Sequence, residues 1–168
     1  MRRAISLTAV VLTALLLQST LFAQISLGGA KPELIYLVTT VVALLEGPAA
    51  GAAMGFGGGM AQDFLLNAPK GITALTLTLL GYVVGTLRTY ATSPSPVLPL
   101  ILVAAATFAG VLFHGFVSFL LGQLDVGFGY LARVALLSAL YNALLTPLFY
   151  PVVRRVNEAS RERRIFRW

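Results

Sequence analysis

Glycine stands at positions 47, 51, 55 and 59 and an acid at 63, each four residues after the last, within the run G-P-A-A-G-A-A-M-G-F-G-G-G-M-A-Q-D. Positions four apart share one ridge of an α-helix, so the segment presents a nearly bare backbone stripe ending in one carboxylate. In water such a run would scarcely be helical, because each glycine costs about 1 kcal/mol against alanine. In a bilayer the backbone has no solvent to bond with, so a helix is enforced and its small residues become a surface for close helix packing. The stripe describes a packing surface rather than a reaction centre.

The rest of the chain agrees with a bilayer. Hydrophobic residues make up 58% and charged residues 11%, with a mean hydropathy of +0.87. That leaves too little polar surface to cover a soluble globule. A chain of 168 residues, at roughly 20 apolar residues per span, holds about six spans and little else. Cysteine is absent, which excludes disulfides and thiolate chemistry, and the lone histidine, His114, excludes histidine-rich metal sites. The net charge of +6 is concentrated at the end, in Arg154, Arg155, Arg161, Arg163, Arg164 and Arg167. A basic tail after a span reads as a topology signal and an anionic-lipid contact rather than as a nucleic-acid site.

Apolar periodicity and loop signals predict a single membrane domain with spans near 4–25, 33–46, 48–66, 72–90, 97–121 and 130–153, followed by a basic tail, 154–168. The first run reads as a retained span, because it exceeds a typical signal-peptide core and Leu21-Phe-Ala-Gln-Ile25 is a poor cleavage site. The second run is short and broken by Glu46-Gly47-Pro48, which leaves a helical hairpin and a partly re-entrant pair as alternatives. Thr92-Ser-Pro-Ser-Pro96 is the conspicuous linker. With both termini on one side, that side carries Arg2, Arg3, Arg88 and the six tail arginines, against Lys31, Lys70 and Arg133 on the other. The excess places both ends in the cytoplasm.

Charges inside spans need a partner or a route to water. Glu46 and Arg88 fall at one depth and Asp63 and Arg133 at another, so two ion pairs are expected candidates, with snorkelling as the alternative for Arg88. Gln18, Tyr141 and Asn142 are expected to make hydrogen bonds between helices of the chain, and Pro147 sits near the end of the last span. His114 reads as a hydrogen-bonded core residue. The six acids are scattered singly apart from the tail pair Glu158 and Glu162. No clustered catalytic set is visible, so neither an enzyme, a metal site nor a cofactor is expected.

Five stretches together resemble one family. They are L-L-L-Q-S-T-L (15–21), P-E-L-I-Y-L (32–37), the glycine run with its acid (46–63), G-I-T-A-L-T-L-T-L-L-G-Y-V-V-G-T-L-R (71–88) and Y-N-A-L-L-T-P-L-F-Y-P-V-V-R-R (141–155). Their order and content resemble the MreD family of rod shape-determining membrane proteins. The family's recurring positions appear here as Gln18, Gly51, Gly55, Gly59, Asp63, Gly81, Tyr82, Arg88, Tyr141, Asn142 and Pro147. The resemblance implies a bacterial inner-membrane component of the cell-elongation machinery. It implies an MreC-like single-span partner, within a complex that includes MreB, the glycosyltransferase RodA and its transpeptidase. It also implies an all-α bundle of about six transmembrane helices similar to the substrate-binding subunits of energy-coupling-factor transporters.

The resulting expectation is a non-catalytic scaffold that grips a partner's membrane helix along Gly51, Gly55, Gly59 and Asp63, with spans five and six as further surfaces. Membrane lipid is expected as a neighbour, nucleic acid is not, and self-association stays open. The alternative is a small-solute binding subunit of a transporter, which would keep a polar cavity open to the outside.

Overall fold

The computed structural model describes residues 2–20, 29–65, 71–88, 97–123 and 127–162, with only the backbone described for 2–8 and 159–162. The described residues form helices and no strands: α1 (Arg2–Thr20), α2 (Leu34–Glu46), α3 (Pro48–Leu65), α4 (Ile72–Leu87), α5 (Leu98–Leu120) and α6 (Phe128–Glu162). The 92–96 linker, Lys70, Asp125 and the tail beyond Glu162 lie outside the described residues. The chain is thus an all-α bundle.

Helix α2 is the hub and touches each of the other five helices. Leu34 through Ala43 are all buried, with no exposed face along that stretch. At 13 residues, α2 is only about 20 Å long, against a hydrocarbon layer of about 30 Å. The short Gly29–Glu33 segment supplies part of the difference by running into the bundle along α6. A side chain at Gly29 would collide with the hydroxyl of Tyr130. Ser138 Oγ donates to the carbonyl of Lys31 at 3.1 Å, and Asn142 bonds both backbone groups of Glu33. These contacts step down α6 from its start to a point fourteen residues beyond Phe128, so α2 begins deep in the bundle. It ends at Gly47, whose φ of +97° turns the chain so that Pro48 opens α3 immediately.

Helices α5 and α6 are built differently. Leu98–Leu120 and Phe128–Glu158 are each long and apolar enough to cross a membrane, and only 28% of either window is buried inside the bundle. A long apolar helix in a water-soluble core would be mostly covered. Here the outward faces are left for hydrocarbon. Helix α6 also runs through Pro147 and Pro151 and continues as helix to Glu162, past the span boundary expected at Val153.

Candidate functional site

The glycine ridge is already occupied. A Cβ at Gly51 would sit 2.5 Å from the carbonyl oxygen of Gly81, one at Gly55 would land on the carbonyl of Leu77, and one at Gly59 would meet the backbone of Ala74. Gly81 and Gly85 on α4 answer in kind against Gly51 and Pro48. The expectation that Gly51, Gly55 and Gly59 hold a partner's helix is corrected: α4 of the same chain fills the ridge. The physical reason lies in α4, whose own glycines at 81 and 85 stand four apart in the register that lets two backbones close.

Asp63 completes this contact rather than reaching a partner. Its Oδ2 accepts from the backbone N–H of Gly71 at 2.8 Å and of Ala74 at 3.3 Å, at the start of α4. The first N–H groups of a helix have no partner within it, and away from water they must find one. A carboxylate there also faces the positive end of the helix dipole. The expected Asp63–Arg133 pair is therefore not formed, and Arg133 is exposed on α6.

The same need explains the other polar residues. At the buried start of α2, Gln18 Oε1 accepts from Ile35 N at 3.4 Å and Asn142 Oδ1 accepts from Glu33 N at 3.1 Å. Asn142 Nδ2 donates to the Glu33 carbonyl and to Thr107 Oγ1, both at 2.9 Å, tying α2, α5 and α6 together. The Glu33 carboxylate accepts from Gln18 Nε2 at 3.0 Å and Gln62 Nε2 at 3.4 Å. Glu33, which sequence reasoning passed over, is thus the centre of the polar layer. At the far end of α2, Arg88 Nη1 donates to the Leu45 carbonyl at 2.8 Å. Arg88 is directed to that carbonyl rather than to Glu46, so the ion pair expected there is replaced by a cap on the helix end.

Of the remaining candidates, His114 Nε2 lies 3.4 Å from Thr73 Oγ1 and joins α5 to α4. The Tyr141 hydroxyl is buried without a hydrogen-bond partner among the described residues. Pro147 is exposed on α6, and the preceding Thr146 returns its hydroxyl to the Asn142 carbonyl at 2.7 Å. On the surface of α6, Arg154 and Glu158 form an exposed ion pair at 2.7 Å, which contributes little.

With the glycine ridge sealed, apolar side chains remain exposed on the outer faces of α1, α3, α4, α5 and α6. On α6, Leu136, Leu140, Leu144, Leu148 and Val152 follow one another at four-residue steps, and each is more than half exposed. On α5, Phe116 and Phe119 project outward. The leucine ridge was legible as an i, i+4 series, but leucines on any apolar helix form such series, and only burial tells the covered one from the bare one.

Searches of curated proteins and of solved structures gave no match. The family model described as rod shape-determining protein MreD matches residues 2–156, from the start of α1 into the last turns of α6. The match takes in the glycine-sealed α3–α4 pair, the polar layer and the leucine ridge, and the chain belongs to the MreD family of rod shape-determining membrane proteins.

Proposed function

We propose that the protein is a non-catalytic scaffold of the bacterial cell-elongation machinery, in the inner membrane with both termini cytoplasmic. It holds the membrane helix of an MreC-like partner against α6, and so positions that partner's outer domain near the RodA-type synthase, its transpeptidase and MreB. The observation that carries this reading is the bare ridge Leu136–Leu140–Leu144–Leu148–Val152 on a helix whose opposite side is anchored by Ala135, Ser138 and Asn142. In lipid there is no hydrophobic gain from helix association, so affinity comes from shape and van der Waals contact. A row of side chains four residues apart interdigitates with the corresponding groove of a second helix, at an angle of about −50° when both use that row. Anchoring by Asn142 keeps the ridge from rotating, which is what a positional scaffold requires.

The alternative role, a solute-binding subunit, is not favoured by the polar layer, whose Glu33, Gln18 and Asn142 are engaged with one another. Photo-crosslinkers placed at positions 140 and 144 in cells test the scaffold reading. Adducts to the membrane helix of the MreC-like protein are expected there and absent from position 55. Co-purification that persists without any adduct from 140 or 144 removes α6 from the interface.

A further inference from the structure

Between α4 and α5 lies an open groove of about 320 Å3 with Leu80, Val84, Ala106 and Gly110 along its floor and Phe113 at one end. Thr76 is the polar residue in its lining, and its hydroxyl donates to the Ile72 carbonyl at 2.8 Å, so the groove is apolar throughout. It follows α4 from Thr76 to Leu87, about 17 Å at the rise of a helix. One leaflet of hydrocarbon is about 15 Å deep. Spread over that length, the volume leaves a slot narrower than the diameter of about 10 Å of a helix with its side chains. The slot takes a hydrocarbon chain and not a further span.

The α4 lining of the groove ends at Leu87, and the next residue in the chain is Arg88. On α4 the floor positions Thr76, Leu80 and Val84 are four apart, and the next step on that ridge is Arg88. Its side chain is exposed and gives one N–H to the Leu45 carbonyl. A guanidinium has five donors, so several remain for an anion at headgroup level. We infer that the α4–α5 groove seats an acyl chain of an anionic phospholipid whose phosphate is held by Arg88. The length of the slot, its lack of polar groups and the cation that follows its α4 lining together select that occupant over a neutral lipid or a protein helix. This site is separate from the α6 ridge, and either can fail without the other.

The full chain, purified in neutral detergent and stripped of lipid by exchange, is titrated with mixed micelles of phosphatidylglycerol or phosphatidylcholine. Thermal melting and native mass spectrometry are the two readouts. Phosphatidylglycerol is expected to raise the melting temperature and to be retained, and phosphatidylcholine is not. Arg88→Gln weakens retention about tenfold, the loss of one charge-assisted contact, and Arg88→Lys recovers part of it. Ala109→Phe, which fills the groove from an exposed position, abolishes retention while leaving lipid-free melting unchanged. Equal retention of both lipids, retention surviving in Ala109→Phe, or a shift reproduced by inorganic phosphate alone would each overturn the inference. So would a crosslink from position 109 to another protein's membrane helix.

Discussion

Helix α4 meets α3 backbone to backbone and stands off from α5 far enough to leave a groove of about 320 Å3. Both neighbours offer it small residues. On α3 these are Gly51, Gly55 and Gly59, and on α5 they are Ala105, Ala106, Ala109 and Gly110. The difference lies on α4 itself. Toward α3 it turns Gly81, Gly85 and Ala74, while toward α5 it turns Leu79, Leu80, Val83 and Val84. Two backbones close only where both helices are small in the same register. A row of small residues opposite branched side chains gives a groove instead.

The closed side is therefore where substitution does most harm. Gly55→Ala is expected to lower stability by about 3 kcal/mol or more, because the added carbon meets the backbone of α4, which cannot give way. The check is melting of the detergent-solubilised monomer, and a folded, unperturbed Gly55→Ala monomer would break the comparison outright. Away from that contact, α2, α5 and α6 are tied by polar bonds rather than by close approach, so Asn142→Ala should cost about 2 kcal/mol through loss of its bonds to Glu33 and Thr107. Hydrogen exchange at the start of α2 should rise in parallel, and a change in melting without that rise would place the effect elsewhere.

Gly110→Ala sharpens the contrast. Its added carbon would meet side-chain atoms, 2.5 Å from Tyr36 Cε1 and 2.8 Å from Leu80 Cδ1, and the second can swing into the groove. The Tyr36 ring is buried and must shift as well, so the expected cost is about 2 kcal/mol, measured against Gly55→Ala in the same detergent. Equal losses for the two would mean that the α4–α5 seam is as rigid as the α3–α4 contact. Gly57→Ala is the smallest effect. Nothing lies within 4 Å of a Cβ there, so melting should stay within about 0.5 kcal/mol of the parent or rise slightly from helix propensity. A large loss at Gly57 would show that glycine in α3 matters for more than the contact with α4.

Much of this was readable in the linear chain. The helical class and the punctuation at Gly47-Pro48 follow from composition and local chemistry. Gln18 and Asn142 make hydrogen bonds between helices, as their depth in the spans suggested. The charged residues have other partners than the sequence suggested. Opposite charges at matching depth suggested ion pairs, whereas Asp63 and Arg88 serve helix ends in a medium without water. Glu33 escaped notice because it stands at a boundary that reads as loop, and only the path of Gly29–Glu33 along α6 draws it inside.

Length, hydropathy and glycine spacing determined by themselves that the chain forms apolar helices and that α3 packs closely against something. Those are local properties, set by a backbone that in hydrocarbon has only itself to bond with. The tertiary structure decided that α4 fills the ridge, that α2 is buried from Leu34 to Ala43, and that the leucine ridge of α6 is left bare. Such outcomes depend on register between segments far apart in the chain, where a single residue's shift exchanges a glycine for a leucine at the point of contact.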